Sequence, residues 1–334
     1  MDKNVSSRRM FLKKLALSGG AITLAKYSSL ANDLNFYHDK SPVFFTTEIS
    51  NESLLNIYSK VSEAHSLSGK IAVKLHSGEP GGHHFASPSL IKNLVQSVNG
   101  TIVECNTAYQ GKRFETKNHK QVIKDHGFAS IAPFEILDEN GSITLEVPKG
   151  KNIKDNYVGA GFAHYDSFLI LSHFKGHAMA GFGGAIKNMA IGIASSKGKM
   201  WIHTAGLSKS TDDFEQCFKT EQDRFLESMA EAALSVDAAL SGRLIYINLM
   251  NNLSIDCDCD SNPAPPELSD IGILASLDPV ALDKACVDLI LAADKEKSAG
   301  LRQRFEEKNG HYLLDYAESI GLGNQSYKMI LMDD

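Results

Sequence analysis

The sequence predicts an α/β protein, a mainly parallel sheet with helices on both faces, in one large domain. Three observations predict this class. Segments with helical spacing alternate along the chain with short apolar segments. Few signals for hairpin turns separate them. Apolar runs such as Leu244–Met250 are continuous, as in strands that are buried on both faces. Helices and strands that alternate in this way pack as a parallel sheet between two helical layers.

The predicted elements follow in order, and each rests on its own residues. Gly69 ends the first helix, and Gly127 ends the third. Asp278 before Pro279 is an N-cap followed by proline at the first helical position, and Asp283 adds negative charge near that helix start. The predicted helices are 53–66, 88–98, 117–126, 226–240 and 279–293, and the predicted strands are 71–75, 101–105, 134–137, 143–147, 167–171 and 244–250.

Composition excludes several classes of protein. The chain has 334 residues, of which 43% are hydrophobic and 22% charged, close to the values of an average globular protein. These values argue against a disordered chain and against a membrane protein with many spans. The formal net charge of −6 comes without a basic stripe, so nucleic acid is not an expected partner.

The first 31 residues resemble a twin-arginine export signal. Residues 7–13 read S-R-R-x-F-L-K, and an apolar stretch from Leu15 to Ala25 follows. This stretch is too short and too interrupted to span a membrane. Ser29, Leu30 and Ala31 form a small-x-small cleavage pattern, so we expect cleavage after Ala31. The alternative is a basic N-terminal helix. The predicted domains are therefore a signal peptide, 1–31, and a single α/β domain, 32–334.

This signal predicts a periplasmic protein without a stable membrane anchor after cleavage, and the twin-arginine translocase is its expected partner during export. Residues 1–31 hold six of the 34 basic and one of the 40 acidic residues, so residues 32–334 carry a formal charge of −11. A mature chain with this charge disfavours anionic membranes and nucleic acid. The resemblance also implies export in the folded state, commonly with a cofactor already inserted.

Polar, ligand-type side chains follow four of the predicted strands. They lie at 76–84, 106–113, 172–188 and 251–260. Because ligands bind at the carboxyl ends of strands in open α/β sheets, we expect these four loops to meet on one rim. Ten of the twelve histidines lie between His65 and His203, which adds potential metal ligands to the same region.

Several of these motifs resemble the domain-of-unknown-function family 362. The motifs are Lys175-Gly-His177, Gly183-Gly184-Ala-Ile-Lys187-Asn188, Trp201-Ile-His203, and the segment from Asp270 to Asp283 that contains Asp278-Pro279. The similarity spans roughly residues 70–325. It implies the family's fold. Many members carry an inserted segment with C-x-x-C-x-x-C spacing and an iron–sulfur association, but this chain lacks such a run, so a four-iron ferredoxin cluster is not expected.

Cysteine and histidine residues form the candidate metal site. Cys257 and Cys259 supply two thiolates on one loop, and a third or fourth ligand would come from His173, His177, His203 or Cys105. Zinc, iron and copper all accept such a mixed set, and the sequence does not distinguish these transition metals. The alternative for the two cysteines is a disulfide or a pair of buried thiols.

The segment from Lys175 to Asn188 is the candidate anion site. Gly183 and Gly184 stand near a helix start, where free backbone N–H groups bind anions, and Lys175 and Lys187 add positive charge. Asn188 either orients a ligand or caps the helix, and Arg113 on a neighbouring loop is a further candidate contact. The alternative is a tight glycine turn with solvated lysines, because the spacing fits neither a Walker loop nor a dinucleotide fingerprint.

Two functions follow from these residues. The first is an exported metal-binding protein that is a metal-dependent enzyme or oxidoreductase acting on a small anionic ligand. The second is a periplasmic metallochaperone or redox-partner module without catalysis. An enzyme needs a concave pocket with an open metal position, whereas a carrier needs a shallow, exposed thiolate site.

Overall fold

The computed structural model describes residues 40–333, so the twin-arginine motif and the cleavage site after Ala31 lie outside the described residues. In chain order the strands are β1 (Ser41–Thr46), β2 (Ile71–Lys74), β3 (Thr101–Glu104), β4 (Phe134–Ile136), β5 (Ser142–Glu146), β6 (Asp155–Gly159), β7 (Ser167–His173), β8 (Lys175–His177), β9 (Gly181–Gly183), β10 (Leu244–Met250), β11 (Gly272–Ser276) and β12 (Tyr327–Leu331). The α-helices are α1 (Asn51–Ser62), α2 (Pro88–Ser97), α3 (Thr116–Asp125), α4 (Ala185–Ile193), α5 (Ser196–His203), α6 (Gln222–Leu240), α7 (Pro279–Ala292), α8 (Ala299–Glu307) and α9 (Gly310–Ile320).

Eight strands form one sheet in the order β12-β1-β11-β10-β7-β2-β3-β4. Strand β11 runs antiparallel to both of its neighbours, and the other neighbouring pairs are parallel. The chain leaves β10, crosses the rim of the sheet through residues 251–271 and returns beside β10, which gives β11 the opposite direction. The prediction of a mainly parallel α/β sheet is confirmed.

Side chains of each strand alternate between two cores, one on each face of the sheet. Along β7, Phe168 and Ile170 pack into one core, whereas Leu169 and Leu171 pack into the other. Apolar residues of α4, α6, α7 and α9 complete the first core, and those of α1, α2 and α3 complete the second. Helices therefore cover both faces, as predicted. Within residues 40–333, no helix has the length and apolar character needed to cross a membrane.

The two aspartates around Pro279 have different roles. Asp278 caps α7 as predicted, because its side chain accepts hydrogen bonds from the backbone N–H groups of Val280 and Ala281. The expectation that Asp283 acts on the start of its own helix was wrong. Its buried carboxylate instead accepts hydrogen bonds from the N–H groups of Ala185 and Ile186, at the N-terminus of α4. Asp283 therefore ties α7 to α4 and fixes the helix that carries Lys187.

Candidate functional site

A cavity of about 300 Å³ opens at the carboxyl ends of the parallel strands. The loops after β2, β3, β7 and β10 all contribute to it, so the expected convergence on one rim is confirmed. Helices α4 and α5 close one side, and a 3-10 segment, Thr211–Phe218, lies over another. Its polar lining includes Lys74, His76, Glu104, Arg113, His173, Lys175, His177, Lys187, Asn188, Lys199, His203, Cys257, Asp258 and Cys259.

Arg113 is held by contacts within the protein. Its guanidinium donates to Glu104 at 2.8 Å, to Glu79 at 3.0 Å and to the ring nitrogen of His119 at 3.2 Å, and it lies 2.8 Å from His76. The nearby Arg113 charge outweighs burial and holds the pKa of Glu104 well below its usual range. Most donors of the guanidinium thus have protein partners, and anion binding by Arg113 stays a prediction.

Lys175 and His173 are paired in a second buried cluster around Asp258. The Lys175 amine donates to Asp258 at 2.7 Å and to the carbonyl of His84 at 2.8 Å. The His173 ring faces Asp258 with Nδ1 at 2.9 Å and the Asn251 carbonyl with Nε2 at 2.6 Å. Both ring nitrogens of His173 thus face oxygen atoms of the protein. A role of His173 as a metal ligand stays a prediction, and Lys175 has partners within the protein.

Asp258 in turn fixes the loop that carries the two cysteines. Its side chain is bound by His173 and Lys175, and its carbonyl accepts from the N–H of Glu79 at 3.0 Å. Burial of the carboxylate opposes ionisation, but the contacts with His173 and Lys175 lower the pKa of Asp258. The residue between Cys257 and Cys259 thus anchors them at the rim of the cavity.

The glycines before α4 precede two N–H groups that already have an acceptor. The N–H groups of Ala185 and Ile186 are taken by Asp283, and a side chain at Gly184 would collide with that carboxylate. A Cβ at Gly183 would instead reach van der Waals contact with the Lys187 stem at 3.6 Å. Asp283 thus occupies these two N–H groups of the helix N-terminus, and an anion site at Gly183 and Gly184 stays a prediction.

Asn188 joins α4 to the ends of β2 and β7. Its amide nitrogen donates to the carbonyls of Lys74 and Leu171 and to the hydroxyl of Ser172, and its oxygen accepts from the Lys74 amine at 3.0 Å. With these partners, Asn188 joins the backbone of these elements, and its contact with a ligand stays a prediction. Burial lowers the pKa of Lys74 to about 8.

Lys187 is the predicted site residue that stays available. Among residues 40–333 its amine makes no hydrogen bond or ion pair, and it faces the cavity. Burial, followed by the charges of Lys74 and Lys199, lowers the pKa of Lys187 to about 8. Lys199 donates to the carbonyl of Ala194 at 2.5 Å, and burial also lowers its pKa. The cavity thus contains one amine without a protein partner among several cations.

His203 lines the cavity beside these lysines. Its Nδ1 donates to the carbonyl of Lys199 at 2.7 Å, and its ring stacks on Phe225 with 4.9 Å between centroids. Burial lowers the pKa of His203 to about 4, so the ring is neutral. In the described part of the chain, the group of three potential metal ligands does not include His203, and its role as a ligand stays a prediction.

His177, Cys257 and Cys259 form that group, because their ligand atoms all lie within 4.8 Å of one another. The two cysteines are joined as a disulfide, so binding of a metal by both sulfurs requires its reduction. His177 Nδ1 accepts from the N–H groups of Met179 and Ala180, which leaves the proton of the neutral ring on Nε2. A metal at this ring has to replace that proton or those two hydrogen bonds.

Sequence reasoning missed several cavity residues. Lys74, Glu104 and Lys199 were not predicted as site residues. Lys74 and Glu104 lay inside predicted buried strands, where a charged side chain is itself a signal of a polar site. Asp258 stood between the two cysteines and was not assigned a role. Lys199 had no sequence signal, since its helix α5 was not predicted.

The sequence was compared with known proteins. No curated protein matches it. Among solved structures, the lactate racemase apoprotein from Thermoanaerobacterium thermosaccharolyticum shows 15% identity and a TM-score of 0.37, and the match covers 62% of this chain and 50% of that one. A protein from Thermotoga maritima shows 13% identity and a TM-score of 0.38, with 71% and 58% covered. The chain therefore spans about half of the length of these neighbours.

One protein family matches this chain over most of the strands of the sheet and most of the residues that line the cavity. It covers residues 71–288, which include β2, β3, β7 and β10 together with His177, Lys187 and the two cysteines. This match extends over more than half of the chain. The chain belongs to the family described as "Domain of unknown function (DUF362)".

Proposed function

We propose that this protein is a metal-dependent enzyme that acts on a small anion bound in the cavity. The observation that carries the proposal is the position of His177, Cys257 and Cys259, whose ligand atoms lie within 4.8 Å of one another on the wall of a cavity that also holds the unpartnered Lys187 amine. Metal ligands and a free cation in one concave site are the combination that metal-assisted chemistry needs.

The charge of the cavity favours an anionic ligand. Four lysines, Lys74, Lys175, Lys187 and Lys199, line it together with Arg113, whereas the lining carboxylates are Glu104 and Asp258. These carboxylates are already paired, with Arg113 and with Lys175. The remaining cations lie in a protein with an acidic overall composition. A local positive field of this kind attracts small anions, and a volume of about 300 Å³ restricts their size.

The donor set fits a transition metal once the disulfide is reduced. Two thiolates and one imidazole supply three ligands and leave one position of a tetrahedral site open. When bound there, zinc, iron or copper would supply positive charge next to the anion. Binding must release protons from the thiols, so metal affinity rises with pH.

A second function is favoured by the disulfide itself. A Cys257–Cys259 disulfide at a cavity wall would let the protein act as a redox-partner module without catalysis. Both cysteines are part-buried within the cavity lining, which suits an enzyme better than a carrier with an exposed thiolate site. A metallochaperone would need ready exchange at the surface.

Metal content tests the first proposal directly. Protein purified under a reducing agent, without a metal-affinity tag, is expected to hold about one transition metal per chain by elemental analysis. The Cys257→Ser, Cys259→Ser double variant should fold and lose that metal. Cys217→Ser is the matched control, because Cys217 lines the same cavity but lies outside the three-residue group. Full metal occupancy in the double variant, or a metal-free folded wild type, contradicts the proposal.

Anion binding is tested separately with oxalate as the probe. Calorimetric titration should show about tenfold weaker binding to Lys187→Ala than to wild type, since one charge-assisted contact is lost. Lys197→Ala is the control, because Lys197 is exposed and lies over the Tyr157 ring. The metal content of Lys187→Ala should be unchanged. Equal oxalate affinity in wild type and Lys187→Ala rejects the anion site.

Export to the periplasm is part of the proposal and has its own test. The support is the sequence of residues 7–13 with the cleavage pattern that ends at Ala31. Replacing Arg8 and Arg9 by lysine keeps the charge but should leave the uncleaved precursor in the cytoplasm. Normal export and cleavage of this variant would contradict the twin-arginine route.

A further inference from the structure

We infer that Lys187 is a nucleophile that forms an imine with a small carbonyl compound carrying an anionic group, such as a 2-oxo acid. This inference rests on the proposed anion site, and it names the substrate class of that site. It does not depend on the metal. The carrying observation is that Lys187 lines the cavity and that its amine has no partner among residues 40–333.

The contrast with the other buried cations supports this role. Lys175 is paired with Asp258, Lys74 donates to Asn188 and to the Leu75 carbonyl, and Lys199 donates to the Ala194 carbonyl. A buried amine without any acceptor costs free energy, and proteins keep such groups where a ligand uses them. Within residues 40–333, Lys187 is therefore the lysine of this cavity whose amine is not committed to a structural contact.

Position on the helix keeps this amine in place. Lys187 lies in the first turn of α4, whose N-terminus is clamped by Asp283 and whose next residue, Asn188, is hydrogen-bonded to three groups of the sheet edge. The stem of Lys187 passes close to Gly183, where a Cβ would lie 3.6 Å from it in ordinary van der Waals contact. The amine is thus carried by a rigid element, as a reacting group requires.

Desolvation makes the amine reactive near neutral pH. With its pKa lowered to about 8 by burial and by neighbouring lysines, Lys187 has a neutral fraction at pH 7 of about 10%, against roughly 0.03% for an ordinary lysine. A lysine that is desolvated next to other cations is a recognised way to obtain a nucleophilic amine.

The chemistry balances without any further reagent. The Lys187 nitrogen attacks the carbonyl carbon and forms a C–N bond, and the two amine hydrogens leave with the carbonyl oxygen as one water molecule. Nothing is oxidised or reduced. Lys74 and Lys199 keep N–H groups beyond those used in their backbone and Asn188 contacts, and these are placed to hold the anionic group of the carbonyl compound.

Reductive trapping tests the inference. Metal-free protein with its disulfide intact is incubated with pyruvate and cyanoborohydride, which reduces imines, and the modified residue is identified by peptide mass mapping. Lys187 is expected to react about tenfold faster than exposed lysines such as Lys197, given its neutral fraction. Lys187→Arg should lose this adduct, and Lys197→Arg should retain it. Circular dichroism checks the fold, with Lys187→Met as a second variant.

Two other outcomes would overturn the inference, and they point to different faults. If Lys187 reacts no faster than exposed lysines with either pyruvate or acetaldehyde, the nucleophile is wrong, while metal and oxalate binding are unaffected. If the rate advantage of Lys187 over Lys197 is the same with uncharged acetaldehyde as with pyruvate, the anionic substrate class is wrong, and the proposed anion site fails with it.

Discussion

Two buried polar clusters lie side by side at the same edge of the sheet, and they differ in how completely their groups are paired. Around Arg113, the carboxylates of Glu79 and Glu104 and the ring of His119 take up most donors of the guanidinium. On the opposite wall, Lys187 has no partner within residues 40–333. The same cavity thus has one cluster whose charges are paired and one amine without a protein partner.

The difference teaches how to separate structural charges from functional ones. A buried charge whose hydrogen-bonding groups all have partners holds the local structure in place. If one partner is removed, the remaining charge is buried without compensation, which destabilises the fold. A buried charge without partners costs stability in the absence of a ligand. Substitutions in the two clusters should therefore have opposite consequences for folding and for binding.

The largest effect is expected for Glu104→Gln, which leaves buried Arg113 without its closest carboxylate at 2.8 Å. The free energy of unfolding should fall by about 3–5 kcal/mol, as for other broken buried pairs. Urea unfolding measures this change. Glu139→Gln is the matched control, since the Lys120–Glu139 pair at 2.6 Å is exposed and should cost about 0–1 kcal/mol. A cost below about 1 kcal/mol for Glu104→Gln would show that the cluster is not saturated.

Acid should destabilise the protein through buried neutral histidines, of which His203 gives the clearest case. Its folded pKa of about 4 lies below the unfolded value of 6.5, so the unfolded state binds the proton first. The contribution of neutral His203 to the free energy of unfolding is fully present above pH 6.5. This contribution is lost as the pH falls toward 4, by about 1.4 kcal/mol per pH unit. His203→Phe keeps the stacking on Phe225 and should lose less stability over this range.

Unfolding curves measured at several pH values between 4 and 7 check this prediction. His311→Phe provides the control, because His311 is exposed in α9 and should leave the pH dependence unchanged. The same slope in wild type and His203→Phe would mean that His203 titrates normally in the folded state.

A smaller effect is expected at the start of α4. Asp283→Ala leaves the N–H groups of Ala185 and Ile186 without acceptors, which should cost about 1–3 kcal/mol. Because a freed helix N-terminus binds anions, sulfate should restore part of the lost thermal stability of the variant more than it stabilises wild type. An equal sulfate effect on both proteins would contradict the assignment of Asp283 as the cap.

The smallest change in stability is expected for Lys187→Met. Removal of an unpartnered amine should alter the free energy of unfolding by less than about 1 kcal/mol, or increase it. Lys175→Met is the comparison, because it breaks the 2.7 Å pair with Asp258 and should cost several times more. Chemical denaturation gives both values. A large loss in Lys187→Met would place this lysine in the saturated class and remove the basis for its role in binding.

Sequence patterns predicted most of the fold but less of the site. Strand β10 was predicted at Leu244–Met250 with its observed bounds, because a short continuous apolar run between polar loops is typical of a buried strand. Helix α5, Ser196–His203, was missed, since eight residues with lysines and glycine carry no clear period. The direction of β11 depends on a long connection across the rim, which no local pattern encodes.

Site residues were harder to predict because availability depends on partners distant in sequence. The loops that line the cavity were predicted. The side chains of Asn188, Arg113 and His173, however, make hydrogen-bond contacts within the protein. Asp283, nearly a hundred residues from Ala185, fills the helix terminus that the glycines indicated. A sequence shows which side chains can bind a ligand, but three-dimensional pairing decides which of them remain free.

The most direct test of the account is the environment of zinc bound to the reduced protein. After reduction of the Cys257–Cys259 disulfide and addition of one equivalent of zinc, X-ray absorption at the zinc edge should show two sulfur ligands at about 2.3 Å together with a histidine nitrogen. That result would place the metal at the wall of the cavity that holds His177, Cys257 and Cys259. A spectrum with only nitrogen and oxygen ligands, or no stoichiometric binding, would contradict the central claim.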